Sequence, residues 1–126
     1  MRTSFVGSCL IGLCCAVSAF AQEAKERKPS VVMERKLTYA QNLLKGLMTE
    51  DFDEIARSVK LMRVFTRLEE MYRSKQPEYA EQLTKFQNAV ADLSKATDAK
   101  DHDGASQAYV DMVQSCIRCH KLLKPE

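Results

Sequence analysis

Two cysteines and a histidine stand close together near the end of the chain, in the segment Cys116-Ile117-Arg118-Cys119-His120. Each thiol at this spacing can add across a vinyl group of a haem, and the histidine beside the second thiol is then placed to bind the iron. The sequence therefore predicts one covalently attached haem c per chain. Cys116 and Cys119 would hold it, and His120 would be the proximal iron ligand.

Two other uses of the same residues are weaker. A redox-active dithiol of the thioredoxin kind belongs to a βαβ unit, and no segment of this sequence has the alternating pattern of a strand. A zinc site would need a fourth ligand, which no second cluster of cysteines or histidines offers. The other histidine, His102, lies about five helical turns before His120 and is interpreted as a solvated loop residue.

The first residues are expected to direct export rather than to fold. A positive Arg2 precedes an apolar stretch from Phe5 to Val17, and Ala19-Phe20-Ala21 has the small-x-small pattern of a cleavage site. Residues 1–21 are thus predicted to be a signal peptide, and the protein to reach the periplasm of a bacterial envelope. The apolar stretch is too short for a stable membrane span.

Cleavage at that site would leave a short leader and one small domain. Residues 22–29 are predicted to be a flexible leader and residues 30–126 a single cytochrome domain. Of the five cysteines, only the two in the haem motif would remain. A lipid anchor at Cys9 or Cys14 is the alternative fate of the N-terminal segment.

The charged residues are spread evenly along the sequence. There are 19 basic and 17 acidic residues, with a formal net charge of +2, and the two signs are interleaved as on solvated helix faces. Nucleic-acid binding would need a clustered basic face, so none is expected. No paired base and nucleophile, metal-binding carboxylate cluster or phosphate loop occurs, so the chain is not expected to be an enzyme.

The elements that position the motif are predicted from apolar spacing. Four amphipathic segments with steps of three and four residues are separated by short polar or proline-containing breaks. Ser30 is the predicted N-cap of the first, Thr49 or Asp51 opens the second, and Pro77 begins the third. Short connections make sequential helices antiparallel neighbours. The predicted fold is all-α, an antiparallel up-down-up-down four-helix bundle with covalent haem at one end.

This topology brings the start of the first helix to the end of the bundle that carries the haem motif. Met33 heads the apolar stripe of that helix, so we predict that it binds the distal face of the iron. The alternative is that Met33 only packs there and leaves the distal face open. The following residues are expected to line the haem: Tyr39, Tyr72, Tyr79, Leu83 and Phe86.

A four-helix chain with its haem motif at the end of the last helix resembles the class II cytochromes c, the cytochrome c′ family, over about residues 30–124. The resemblance implies one of two functions. Low-spin members place a methionine of the first helix on the iron and transfer electrons, and Met33 stands where that methionine is expected. High-spin members keep the sixth position open and bind NO or CO.

The resemblance also bears on partners and on one missing contact. The preferred function is a periplasmic carrier of single electrons that works with unidentified periplasmic redox partners, and a homodimer is a further option. Many members have an arginine one turn before the distal position, in contact with a haem propionate. Here that position is Pro29, so the contact is either absent or made by one of four other residues: Arg35, Lys36, Arg118 or Lys121.

Overall fold

The protein is an all-α chain in the computed structural model, which describes residues 30–73 and 77–123. It contains α1 (Val31–Met48), α2 (Phe52–Arg73), α3 (Pro77–Asp98) and α4 (His102–Leu122). No strand occurs in the described residues. The predicted signal peptide, the predicted leader and the residues from 124 onward lie outside them.

The four helices form the predicted antiparallel bundle. Each helix packs along the next one in the chain, whereas α1 approaches α4 much more loosely. The start of α1, the end of α2, the start of α3 and the end of α4 therefore share one end of the bundle, called here the motif end. None of the described helices has the length and apolar character that crossing a membrane requires.

Side-chain caps fix where three of the helices begin. At the start of α1 the hydroxyl of Ser30 accepts a hydrogen bond from the backbone amide of Met33 at 3.3 Å. Asp51 caps α2 and Asp101 caps α4 in the same way, since each carboxylate accepts from the amide three residues further on, at 2.9 and 3.0 Å. Replacing such a cap with alanine typically lowers the free energy of unfolding by about 1 kcal/mol. Of the two residues predicted to open α2, Asp51 does so, and Thr49 instead ends α1.

The core runs the length of the bundle between the four helices. A smaller cluster of Tyr79, Leu83 and Cys119 lies at the motif end. The main cluster contains residues of every helix and includes the following fully buried side chains: Leu43, Ile55, Met62, Leu93, Ala105 and Met112. Two of the methionines, Met62 and Met112, are therefore packing residues.

The buried face of α2 differs from the predicted one. Apolar spacing from Phe52 to Tyr72 predicts Leu68 in the core, but Leu68 is 40% exposed, whereas Thr66 and Glu69 are buried. Thr66 satisfies its hydroxyl by donating to the carbonyl of Met62 at 2.8 Å. Glu69 is tolerated because Lys36 of α1 and Tyr79 of α3 both bind its carboxylate. The apolar pattern alone points to the wrong residue here.

His102 is also not the solvated loop residue that the sequence suggested. It is the first residue of α4, and its Nε2 lies 2.8 Å from the carbonyl oxygen of Leu47 at the end of α1. Because a carbonyl oxygen only accepts, the ring nitrogen is the donor. His102 ties α4 to α1 at the end of the bundle opposite the motif end.

Replacing Gly46 with alanine tests how tightly α1 meets α2. A Cβ at this position would lie 2.7 Å from Cγ1 of Ile55 and 3.2 Å from the carbonyl oxygen of Asp51. Overpacking of this kind costs about 1–3 kcal/mol, and the higher helix propensity of alanine offsets about 1 kcal/mol of it. Gly46→Ala is therefore expected to lower the free energy of unfolding in urea by about 1 kcal/mol.

The neighbouring exposed residue provides the control for that measurement. Lys45→Ala is expected to change the free energy of unfolding by no more than about 0.5 kcal/mol, as is usual on a helix surface. An unchanged urea midpoint for Gly46→Ala would mean that Ile55 moves aside without cost, and the packing argument would be wrong.

Candidate haem-binding site

A cavity of about 350 Å³ opens between α1 and α4 and extends to the motif end. This volume is within the range of about 300–1,000 Å³ typical of cofactor and ligand sites. All four helices contribute to its mostly apolar wall, whose apolar members include the following residues: Leu37, Ala40, Leu44, Met62, Leu83, Phe86, Val113 and Ile117. The loose approach of α1 to α4 creates this space.

The three motif residues lie in the wall formed by α4. The most buried stripe of this helix is Ala105, Ala108, Met112, Ser115 and Cys119. The apolar spacing of Ala105, Tyr109, Met112, Cys116 and His120 predicts that the last two lie on the core stripe. Each instead lies one position beyond a residue of the true stripe, and both line the cavity. Cys119 is buried, Cys116 is half-buried, and both are free thiols.

Met33 lines the same cavity from α1, across from the motif. It lies in the first turn of that helix and its backbone amide donates to the capping hydroxyl of Ser30. The cap thus fixes the start of α1 and the place of Met33. The structure therefore brings together the four residues singled out in the sequence: Met33, Cys116, Cys119 and His120.

The aromatic residues expected around the haem divide into three groups. Tyr79 and Phe86 line the cavity together with Leu83. Tyr39 does not, since it packs against Phe65 with the ring centroids 5.7 Å apart. The side chain of Tyr72 lies outside the described part of the chain.

A buried polar cluster in the cavity wall was not expected from the sequence. The ammonium group of Lys36 forms an ion pair with the carboxylate of Glu69, and the hydroxyl of Tyr79 donates to the same carboxylate. Lys36 also lies over the ring of Phe86, 4.7 Å from its centroid. The available signal was the spacing of Glu69, which continues the three-four rhythm of the buried residues of α2: Ile55, Val59, Met62 and Thr66.

Tyr109 is a second residue that sequence reasoning missed. Its hydroxyl donates to the carbonyl oxygen of Ala40 at 3.1 Å, which joins α4 to α1 beside the cavity. Burial raises the pKa of Tyr109, so the phenol stays protonated and remains a donor at neutral pH. Like the bond from His102 to Leu47, it links α4 directly to α1.

The electrostatics of the two thiols oppose a role in disulfide exchange. Burial raises the pKa of Cys116, with Lys36 acting in the opposite direction, and burial and then Glu69 raise the pKa of Cys119. A redox-active dithiol depends on a lowered pKa, because the thiolate is the nucleophile. The cavity therefore suits thiols that are consumed in stable bonds better than thiols that exchange.

The donor set and the apolar lining of the cavity fit a covalent haem. Two thiols stand three positions apart, as in the haem attachment motif, and an imidazole, a thioether and mostly apolar side chains line the same cavity. Among the described residues, no group of three or more histidine, cysteine or acidic side chains is arranged to hold a bare metal ion.

Comparison with known proteins identifies the family. A family model described as Cytochrome C' matches residues 34–124, which include α2, α3, α4 and the whole haem motif. The match begins one residue after Met33. No curated protein and no solved structure matches the chain significantly. Because the matched segment covers most of the chain and the helices have the predicted order, the protein belongs to the cytochrome c′ family, whose members carry covalently bound haem c.

Proposed function

We propose that this protein is an exported carrier of single electrons with one haem c per chain. In this proposal Cys116 and Cys119 form the thioether bonds, His120 binds the iron on the proximal side and Met33 binds it on the distal side. The observation that carries the proposal is the placement of Met33 and His120 in the walls of one cavity, on helices that face each other.

The residues of the chain have distinct tasks in this mechanism. When bound, the haem supplies a one-electron iron couple, whose potential is raised by methionine and histidine ligation. Cys116 and Cys119 would hold the cofactor at the motif end through two thioether bonds. Each would form from one S–H bond and one vinyl double bond, with the hydrogen retained in a new C–H bond. The apolar residues of α1 and α3 that line the cavity would pack against the bound cofactor. Six-coordinate iron would then need little rearrangement on electron transfer.

Optical spectra of the purified protein in both redox states test this function. We expect a sharp low-spin α band after reduction, and a weak far-red methionine-to-iron band in the oxidised protein. We also expect haem staining that survives a denaturing gel, and one iron per chain by elemental analysis. A high-spin oxidised spectrum together with rapid CO binding to the reduced protein would instead favour the gas-binding function. A gel band without haem would contradict both.

Export is the part of the proposal that depends on residues 1–21. If these residues form a signal peptide, the mature protein is expected to begin at Gln22. Mass spectrometry of the intact protein purified from the envelope fraction measures this directly. A chain that retains residue 1, or that carries the added mass of a lipid, would contradict the predicted cleavage.

A further inference from the structure

The buried ion pair in the cavity wall calls for an explanation beyond packing. The side chain of Lys36 is 13% exposed and that of Glu69 is 4% exposed, and they come from different helices. Removing two charges from water costs several kcal/mol per ion, and well-packed apolar residues usually stabilise a bundle at least as well as a buried pair does. Stability alone is therefore a poor account of these two residues.

The position of the pair gives it electrostatic access to whatever lies in the cavity. Among the described residues that line the cavity, only Lys36 and Glu69 carry a charge at neutral pH, apart from the titratable His120. The rest of the wall is largely apolar, and charges interact more strongly in such surroundings than they do in water. Both charges therefore act on the same cavity.

We propose that Lys36 and Glu69 are opposed charges that set the reduction potential of the haem. The proposal rests on the proposed function, because it requires a haem in this cavity. Reduction adds one electron, so the ammonium group of Lys36 stabilises the reduced state and the carboxylate of Glu69 stabilises the oxidised state. Tyr79 is a positioning residue, since its hydroxyl holds the carboxylate of Glu69 and withdraws part of its negative charge.

Equilibrium redox titration of the holoprotein tests the proposal. Lys36→Met is expected to lower the reduction potential and Glu69→Gln to raise it. The double variant Lys36→Met/Glu69→Gln is expected to lie between the two single variants and close to the unmodified protein. It leaves no unpaired buried charge, so it should fold even if a single variant does not. Tyr79→Phe is expected to lower the potential by less than Lys36→Met does.

The pattern of signs separates an electrostatic role from a structural one. A loosened cavity would admit water in every variant and would shift all the potentials in one direction. Shifts of one sign, or no shifts at all, would overturn the proposal. If neither single variant can be purified, two other results would overturn the proposal. One is a double variant whose reduction potential lies far from that of the unmodified protein. The other is a Tyr79→Phe variant whose reduction potential does not shift.

Controls connect the result to this cavity and to the haem. Lys85→Met removes an exposed lysine that pairs with Glu81 on the surface of α3, and it is expected to leave the potential unchanged. Haem staining of each variant on a denaturing gel is done in parallel. Unmodified protein that lacks haem would contradict the proposed function. Haem-loaded protein whose potentials do not follow these signs would contradict only the assignment of Lys36 and Glu69.

Discussion

Replacing Cys116 and Cys119 together with serine is expected to abolish haem staining on a denaturing gel. A serine hydroxyl does not form the thioether bond, so no covalent link would survive denaturation. Staining of equal protein loads, followed by mass spectrometry of the intact chain, measures the loss. Each single variant, Cys116→Ser or Cys119→Ser, keeps one thiol and is expected to retain part of the staining.

One of the two residues between the cysteines provides a matched control. Arg118 is exposed, and among the described residues its side chain forms a hydrogen bond with Gln114 of the same helix. Arg118→Ser should therefore alter the motif and leave both thiols intact. This variant is expected to stain like the unmodified protein. Covalent haem retained in the double serine variant would show that the attachment lies elsewhere in the chain, and the site described above would be wrong.

Met33→Ala is expected to convert the oxidised protein from a low-spin to a high-spin form. Alanine has no donor atom, so the far-red methionine-to-iron band should disappear, the reduction potential should fall and CO should bind faster to the reduced protein. Optical spectra and redox titration measure these changes. Met33→Leu should have the same effects, because it keeps most of the side-chain volume but removes the sulfur ligand.

Another methionine at the motif end is the control for this experiment. Met71 lies near the end of α2 and is 77% exposed, outside the cavity wall. Met71→Ala is therefore expected to leave both spectra unchanged. A low-spin oxidised spectrum that persists in both Met33 variants would exclude Met33 as the distal ligand and would leave its role as packing.

The features that were predicted well are those that local chemistry determines. Apolar spacing and the breaks between segments gave four helices in the right places, because each helix must bury one face. Short connections then left one simple topology, which correctly brought Met33 and His120 to the same end. The haem motif could be recognised from the sequence alone, because the chemistry of its thiols and imidazole depends on their spacing along the chain.

The features that were missed depend on contacts between distant parts of the chain. Glu69 was not predicted to be buried because its partners, Lys36 and Tyr79, lie on two other helices, and a pattern of apolar residues places a carboxylate outside. For α4, the polar Ser115 concealed the true core stripe, so Cys116 was taken for a core residue when Cys119 is more buried. His102 contacts a carbonyl oxygen of α1 that only the folded bundle brings near.

The loose approach of α1 to α4 has a consequence for how the protein matures. Helix α1 packs along α2 at least as closely as α2 packs along α3, so the loose seam of the bundle is the one between α1 and α4. A large cofactor is therefore expected to reach Cys116 and Cys119 through this seam. Its delivery would need α1 and α4 to separate, while the packing of α2 on its two neighbours stays in place.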